Sequence, residues 1–418
     1  MASLSRTRLL SLAAAALVSA AATTSASADI VMDWNSAADV IGTEKQLGPA
    51  PHGRNLAILH TAMFEAVNAV QGRYAPYRLS LGTHPDASKE AAAATAGHDV
   101  LVALFPDKRA SLDEALAQML AGVDDGAMKE KGLELGKRAA EGMLADRAND
   151  GADAKESYRP HTTPGAYVPT AIPLYSTVGA IRPWVMASGS QFRPAPPPAL
   201  TSETWTRDYN EIREVGSRNS TVRTPEQTSI GRFWLLTGAR TYNPILRQVA
   251  MKQDMDLLDC ARLYALAAMA ANDGHIAVFD AKYAYGFWRP ITAIRTGELA
   301  GNPATPRDPE WLPLADTPMH PEYPCAHCIT SSAVATVLKE LVGDEVGEIV
   351  LTSATAPGVT RKWSRISDYA DEVRHARIYA GFHYRFSGEV GAEMGRKIGE
   401  LTVRTQLPRR APAVEASR

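Results

Sequence analysis

The chain has 418 residues, of which 45% are apolar and 22% are charged, and its formal net charge is −2. This composition is typical of globular proteins and excludes a disordered polymer or a collagen-like fibre. The nearly balanced charge gives no general attraction for nucleic acid or for an anionic membrane surface. Three cysteines are too few for a disulfide-scaffold protein.

The first 28 residues have the order of a secretory signal peptide. Arg6 and Arg8 precede an apolar stretch over residues 9–22, and Ala26-Ser27-Ala28 follows as an A-x-A cleavage site. The apolar stretch is shorter than the roughly 20 residues that a membrane-spanning helix needs. We therefore expect cleavage after Ala28, export to the periplasm or the medium, and no stable membrane span.

Helical periodicity dominates the rest of the chain, residues 29–418. No run of alternating β-branched or aromatic residues predicts a sheet. Apolar residues fall three or four positions apart, as on one face of a helix, over residues 55–70, 91–104, 112–120, 133–144 and 245–271. The sequence therefore predicts a single all-α domain over 29–418.

A Pro-rich stretch over about 158–200 divides the helical segments. Its proline density excludes regular helix, yet it contains many Tyr, Ile, Trp and Val residues. We expect a long ordered connection here. Helix starts are predicted after it at Ser202 and at Thr224-Pro225-Glu226, where proline lies just inside the helix.

The first polar motif is Lys282-Tyr-Ala-Tyr-Gly-Phe-Trp-Arg289-Pro290. If this segment is helical, Lys282 and Arg289 share a face, about 10 Å apart along the axis. The two cations would then converge on one anion. Two ordinary charges on a solvated helix face explain the same spacing.

The second motif is Tyr323-Pro324-Cys325-Ala326-His327-Cys328, followed by an apolar helix over 329–341. A turn before a helix offers free backbone N–H groups, which form an anion site, and His327 would transfer protons near neutral pH. A capping turn with an incidental histidine is the alternative. Zinc held by Cys325, His327, Cys328 and His320, or a redox C-x-x-C, is a further alternative with less support from the spacing.

The third motif runs from Arg377 through Gly381 and His383 to Ser387. On an unbroken helix, residues six apart point about 120° away from each other. Arg377 and His383 would share a ligand only if Gly381 breaks the helix. A satisfied structural histidine is the alternative.

Together the three motifs resemble the shared signature of vanadium-dependent haloperoxidases and type-2 phosphatidic acid phosphatases. That signature reads Lys, six residues, Arg-Pro; then Pro-Ser-Gly-His; then Ser-Arg, five residues, His. The matching positions are Lys282, Arg289, Pro290, Pro324, His327, Arg377 and His383. The likeness covers most of the mature chain and looks like the longer bacterial haloperoxidase-type branch. It implies an all-helical fold of the haloperoxidase and acid phosphatase type, built around four-helix bundles.

The resemblance also implies roles for these residues. Lys282, Arg289 and Arg377 would neutralise an oxyanion, and the Ala326 N–H would donate to one of its oxygens. His383 would be the apical group, either as a vanadium ligand or as the nucleophile that becomes phosphohistidine. His327 would be the acid–base residue.

The chain departs from the signature at four positions. Cys325 replaces the serine whose hydroxyl donates to the oxyanion, and a thiol is a weaker donor; a disulfide to Cys328 would remove it. Ala326 replaces glycine, and Ala376 replaces the serine of the third block. Ser387 stands where many members have an Asp that orients the apical histidine, and Glu389 is the candidate substitute.

The sequence therefore favours an exported vanadate-dependent haloperoxidase that oxidises a halide with hydrogen peroxide. The first alternative is a phosphatase of the same superfamily, with phosphate in place of vanadate and a phosphate ester as substrate. The second is a family member that binds an oxyanion without turnover. Phe287-Trp288 favours the peroxidase if it walls a halide site, and it is equally compatible with the core.

Overall fold

The computed structural model describes residues 26–236 and 238–411, so residues 1–25 of the predicted leader lie outside the described residues. In these ranges the chain forms thirteen α-helices and one small antiparallel sheet. The helices are α1 (Ala26–Glu44), α2 (Pro49–Gln71), α3 (Lys89–Leu104), α4 (Arg109–Leu120), α5 (Ala127–Arg147), α6 (Glu203–Val215), α7 (Pro225–Phe233), α8 (Ala239–Lys252), α9 (Leu257–Tyr285), α10 (Pro290–Arg295), α11 (Ala326–Val342), α12 (Ile366–Tyr379) and α13 (Arg385–Thr405). The prediction of an all-α fold is confirmed.

Helix α9 is the centre of the fold. It packs against α2 on one side and against α11 on the other. Helices α1, α2, α3 and α5 form the bundle on the first side, and α11, α12 and α13 form the bundle on the second. Small alanines let its neighbours approach, and most of its residues are buried. No helix in the described ranges is long and apolar enough to cross a membrane.

The predicted starts of α6 and α7 are confirmed, whereas the predicted single helix over 245–271 is wrong. Ser202 caps α6, and Thr224 forms a capping box with Gln227 at the start of α7, as predicted. The apolar stripe over 245–271 is not one helix, because the chain leaves the helix after Lys252. Asp256 then caps α9 by accepting a 2.9 Å hydrogen bond from the Asp259 N–H.

No sequence pattern predicted a sheet, yet the helical fold includes one small two-stranded ribbon. Strands β1 (Glu345–Thr352) and β2 (Thr360–Arg365) form a two-stranded antiparallel ribbon between α11 and α12, with Ile349 paired to Trp363. Only scattered positions of the ribbon are buried. Period-two alternation is therefore weak, which is why the sequence pattern missed it.

The Pro-rich connection over 158–200 is attached to α9 by a buried carboxylate. Asp273 accepts hydrogen bonds from the backbone N–H groups of Trp184, Val185 and Met186 at 2.7 to 3.0 Å. The Trp184 indole donates to Asn272 Oδ1 at 2.8 Å. These bonds hold the connection against the central helix, where part of it lines the cavity described below.

Helices α11 and α13 pack closely because glycine residues line the face of α13 that contacts α11. Gly391, Gly395 and Gly399 recur every four residues and face α11. A Cβ added at Gly399 would lie 2.8 Å from the carbonyl oxygen of Ala333. The close approach fixes the position of α11, whose first turn carries His327.

We expect Gly399→Ala to lower the free energy of unfolding by about 1 to 3 kcal/mol, because the added methyl overlaps the α11 backbone. This steric cost outweighs the gain of up to about 1 kcal/mol in helix propensity. Chemical denaturation would measure it. Gly122→Ala is the matched control, since a Cβ at exposed Gly122 meets nothing within 4 Å, and an equal loss there would contradict the packing argument.

Candidate active site

A cavity of about 240 Å³ lies where α9, α11 and α12 meet the Pro-rich connection. Both polar and apolar side chains line it. Its walls are Pro49, Leu174, Tyr175, Gly238, Tyr242, His275, Phe279, Thr317, Pro318, Met319, His320, Ala326, His327, Thr330, Arg377 and His383. Three residues that the sequence singled out, His327, Arg377 and His383, therefore share one cavity with Ala326.

Lys282 lies in the last turn of α9 and is fully buried. Its Nζ donates to the backbone carbonyls of Pro321 and Glu322 at 2.8 and 2.7 Å. The helix ends at Tyr285, because Gly286 adopts the left-handed conformation with φ +55°. The expectation that Lys282 and Arg289 share one helix face is therefore wrong.

Arg289 lies at the N-terminus of the short helix α10, and its guanidinium contacts His320 and His383. Its Nε donates to the carbonyl of His320 at 2.8 Å, and Nη1 donates to the carbonyl of Phe382 at 3.0 Å. Nη1 also lies 3.3 Å from His383 Nε2, and Nη2 lies 3.0 Å from His320 Nδ1. A guanidinium can only donate, so His383 Nε2 and His320 Nδ1 are both acceptors.

Arg377 and His383 meet because the helix between them breaks, as the sequence predicts. Helix α12 ends at Tyr379, and Gly381 has φ +78°. A Cβ at Gly381 would lie 2.9 Å from Pro313 Cβ, so only glycine makes this turn without strain. Arg377 Nη1 donates to the Trp234 carbonyl at 2.7 Å, while its buried Nε has no partner among the described residues.

Glu322 orients His383, and the sequence analysis did not identify it. Its Oε1 accepts from His383 Nδ1 at 2.7 Å and from the Tyr384 N–H at 3.1 Å. The proton of His383 is therefore assigned to Nδ1, which leaves the Nε2 lone pair directed away from Glu322. Glu389 is exposed on α13 and does not take this role, so the suggested substitution is wrong. Glu322 and His383 lie 61 residues apart in sequence, so no local spacing marks the pair.

Burial raises the pKa of Glu322 to about 7, although Lys282 and Arg289 act in the opposite direction. The folded chain thus binds more protons than the unfolded chain between about pH 4.5 and 7, and its stability falls as pH rises through that range. We expect Glu322→Gln to remove this dependence. The free energy of unfolding of the parent protein relative to Glu322→Gln should fall by about 2 to 3 kcal/mol from pH 5 to pH 8. Urea denaturation without added oxyanion measures it, and a constant difference would contradict the burial of the carboxylate.

The first turn of α11 carries Ala326 and His327. Their backbone N–H groups are the first of the helix, where no intrahelical acceptor is available. The His327 Nε2 lies 3.3 Å from the carbonyl of Leu236, so Nε2 donates and Nδ1 is left with its lone pair. Burial and the nearby Arg377 lower the pKa of His327 well below its ordinary value. A neutral base and free N–H donors therefore face one cavity.

Cys325 and Cys328 form a disulfide on either side of Ala326 and His327. Cys325 is buried against α13, and its Sγ accepts from the Cys328 N–H at 3.1 Å, which caps α11. It has no thiol proton and does not line the cavity, so the expectation that Cys325 faces the oxyanion is revised. Within residues 26–236 and 238–411 no group of histidines, cysteines and acidic residues is arranged to hold a metal cation, which disfavours the zinc alternative.

Phe287 and Trp288 belong to the core and not to the cavity wall. They pack in a separate aromatic cluster with Trp205, whose ring stacks on Trp288 at a centroid distance of 5.9 Å. The core alternative for this dipeptide is therefore the one that the structure supports. The aromatic walls of the cavity come instead from Tyr175, Tyr242 and Phe279.

The electrostatics of the site are dominated by three buried cations. Lys282, Arg289 and Arg377 are each at most 1% exposed. Burial and neighbouring cations lower the pKa of Lys282 well below its ordinary value and that of Arg377 to about 9. The buried carboxylate of Glu322 acts on Lys282 and Arg289 through its charge, but its hydrogen bonds go to His383 and to the Tyr384 N–H. Unpaired buried cations are costly, so the cluster fits a multiply charged anion.

The comparisons with known proteins agree with this geometry. A family model described as the VCPO second helical-bundle domain matches residues 262–408, which include all three motifs. The chain is 31% identical to the vanadium chloroperoxidase of Curvularia inaequalis over 195 residues, which cover 38% of this chain and 31% of that protein. The crystal structure described as the first bacterial vanadium-dependent iodoperoxidase superposes with a TM-score of 0.75 at 24% identity, covering 92% of this chain and 96% of that one.

Residues 262–408 therefore resemble the second helical bundle of vanadium chloroperoxidase, and the chain shares the fold of a bacterial vanadium-dependent iodoperoxidase. A holo-type bacterial vanadium-dependent chloroperoxidase shares the fold as well, with a TM-score of 0.69 at 17% identity over 85% of this chain and 91% of that chain. The match to the curated superfamily members is local, since it spans less than a third of their length. Within the superfamily signature, this chain retains every cationic and imidazole position and changes the small and hydroxyl-bearing ones.

Proposed function

We propose that this protein is a vanadate-dependent haloperoxidase that oxidises a halide with hydrogen peroxide. The observation that carries the proposal is the convergence of three buried cations on His383, whose Nδ1 is tied to Glu322 and whose unprotonated Nε2 would exchange its contact with Arg289 for a ligand. Named superfamily relatives are chloroperoxidases and an iodoperoxidase. They support vanadate as the cofactor and peroxide with halide as the substrates.

The residues present fit vanadate. Lys282, Arg289 and Arg377 would neutralise its charge, and the orphaned Arg377 Nε would gain an acceptor. The Ala326 N–H would donate to one oxygen, and His383 Nε2 would be the protein ligand to vanadium. When bound, vanadate supplies the Lewis acid at which peroxide is activated toward a halide.

His327 moves the protons of the reaction in this proposal. Peroxide must lose a proton when it binds, and halide oxidation consumes one. A neutral imidazole with a lone pair on Nδ1 accepts the first and returns the second. Leu236 holds the ring through its carbonyl, so the acid–base nitrogen keeps one direction.

Parallel assays of the purified protein separate this proposal from its rivals. One series would contain vanadate, peroxide and chloride, bromide or iodide; the other would contain a generic phosphomonoester without vanadate. Halide oxidation that requires vanadate supports the proposal. Turnover of the ester alone would assign a phosphatase with a phosphohistidine intermediate at His383, and inactivity in both series would assign an oxyanion-binding protein.

We expect His327→Ala to lower turnover by about 10² to 10⁴-fold, the usual contribution of general acid–base catalysis. Vanadate affinity should change far less, because the residue carries no main part of the positive charge. Isothermal titration with vanadate and steady-state kinetics on the same preparation would measure both. A large loss of affinity with unchanged turnover per bound vanadate would make His327 a structural residue.

We also propose export, which rests on the leader over residues 1–28. Its basic residues, apolar stretch and A-x-A site have the order that signal peptidase substrates share. Expression of the full chain in a bacterial host, followed by N-terminal sequencing of the released protein, tests it. A mature chain that begins at Asp29 is the expected result, and a cell-retained chain with an intact leader contradicts it.

A further inference from the structure

A second cavity, of about 470 Å³, adjoins the candidate active site. The two cavities share a wall, because Thr317, Pro318 and Met319 line both of them. The remaining lining residues of the second cavity are Tyr167, Val168, Thr170, Ala171, Arg289, Ile291, Thr292, Arg295 and Thr296. The proposed reaction takes place in the first cavity and assigns no ligand to the second.

The lining of the second cavity contains two arginines and no acidic residue. Arg289 is 1% exposed and belongs also to the cationic cluster of the candidate active site. Arg295, the last residue of α10, is exposed and forms no ion pair within the part of the chain that the structure describes. Two positive charges without a carboxylate favour an anionic ligand.

Several hydrogen-bond donors in this lining have no acceptor among the described residues. The contacts of Arg289 with His320, Phe382 and His383 occupy four of the five N–H groups of its guanidinium, so one on Nη2 stays free. Tyr167 is 7% exposed, and no described group bonds to its hydroxyl. The buried Thr317 Oγ1, in the wall between the cavities, is also without a partner. An anion in the second cavity would give these donors an acceptor.

The phenol of Tyr167 keeps its proton in this setting. Burial raises its pKa above the ordinary value, although the charge of Arg289 acts in the opposite direction. The hydroxyl is therefore a donor, and the influence of Arg289 shows that the guanidinium lies near it. Both groups would act on the same bound anion.

The rest of the second cavity is apolar enough to hold a hydrocarbon group. Ile291 and Pro318 line it, and Val168 and Met319 are 42% and 47% exposed, which places them at its rim. A cavity of about 150 Å³ is large enough for benzene in another protein. A small inorganic anion would leave this apolar surface in contact with water, whereas a ring that carries a carboxylate would cover it.

We propose that the second cavity binds an aromatic monocarboxylate, and that this ligand weakens oxyanion binding in the candidate active site. The inference rests on the proposed function for the identity of that oxyanion as vanadate. Both anions interact with Arg289 and repel each other, so each lowers the affinity of the other by the same factor. The second cavity is therefore an inhibitory site for organic carboxylates.

Benzoate is the probe for the second cavity, and benzyl alcohol is its neutral analogue. Isothermal calorimetry without vanadate should show one benzoate site in the parent protein and weaker binding of benzyl alcohol. Arg295→Ala should weaken benzoate binding about tenfold, because a hydrogen-bonded charge is lost. Tyr167→Phe keeps the ring, removes the hydroxyl, and should weaken it about fivefold.

Arg307→Ala is the control for a general loss of positive charge. Arg307 is exposed, pairs with Glu298 at 3.3 Å, and does not line the second cavity. It should leave the benzoate affinity unchanged. Equal affinities of benzoate and benzyl alcohol, or equal benzoate affinities in the parent protein and in folded Arg295→Ala and Tyr167→Phe, would overturn the site.

Vanadate titrations with and without benzoate test the coupling. At benzoate ten times its dissociation constant for the parent protein, a tenfold coupling raises the vanadate dissociation constant of that protein about fivefold. At the same benzoate concentration, Arg295→Ala should show a rise of about twofold, relative to its own value without benzoate. An equal rise in both proteins would mean that benzoate competes inside the first cavity, which overturns the proposal.

Failure of this inference and failure of the proposed function give different results. If vanadate binds and supports halide oxidation but benzoate does not bind, the carboxylate site is wrong and the proposed function stands. If benzoate binds with the dependence on Arg295 and Tyr167 given above but vanadate does not bind, the carboxylate site stands. The proposed cofactor and its coupling to benzoate are then both overturned.

Discussion

His383→Ala is expected to abolish vanadate-dependent halide oxidation, with a loss of at least about a thousandfold. His383 is the one cavity histidine whose Nδ1 is fixed by a buried carboxylate, Glu322, so that Nε2 is held as an acceptor. An alanine there would leave the proposed vanadate without the imidazole that Glu322 orients. Steady-state bromide oxidation with saturating vanadate measures the loss.

The matched control for this change is His375→Ala. His375 lies on α12 outside the cavity, and its Nδ1 lies 2.9 Å from the carbonyl oxygen of Asp371 in its own helix. It should retain nearly full activity. If His383→Ala retained more than roughly a tenth of the parent rate, His383 would not be the vanadium ligand.

Arg377→Ala is expected to weaken vanadate binding by about 3 kcal/mol, which is more than a hundredfold in dissociation constant. The guanidinium is 1% exposed and its Nε has no partner among the described residues, so its charge is directed to the cavity. Removing it leaves a multiply charged anion under-neutralised in a site with little solvent. Isothermal titration with vanadate measures the change.

Arg374→Ala is the control on the same helix. Arg374 pairs with Asp371 at 3.3 Å, packs its stem near Gly388 of α13, and does not line the cavity. Its removal takes away one positive charge of α12 without a cavity contact, so vanadate affinity should stay close to that of the parent protein. Similar losses of affinity in the two arginine variants would indicate a general effect of the charge of α12 and not a contact from Arg377.

Much of the fold follows from local patterns, because helix periodicity and caps act within a few residues. Ser202 and Thr224 mark helix starts in sequence, and the structure places α6 and α7 there. The ribbon of β1 and β2 was missed because β2, Thr360–Arg365, is almost wholly polar and buries only Trp363. Its pairing depends on a partner strand, which periodicity within one segment does not show.

The candidate site likewise combines features that local sequence patterns predict with features that depend on contacts between distant residues. The spacings of the cations and histidines are local and were visible, while Glu322 acts on a residue far along the chain and was not. Lys282 and Arg289 were expected on one helix, yet Gly286 ends α9 between them. For Cys325 the C-x-x-C spacing left both a free thiol and a disulfide open, and only the three-dimensional turn showed that Cys325 is directed toward α13.

The three cations also affect how the protein tolerates heat. Without an anion, Lys282, Arg289 and Arg377 repel one another inside the fold, and this cost is relieved when an oxyanion binds the native state alone. An anion at a hundred times its dissociation constant would add about 2.7 kcal/mol to the stability. Phosphate has the shape and charge of vanadate, so a phosphate buffer would both raise the melting temperature and compete with the cofactor. The most heat-resistant preparation of this protein would then be its least active one.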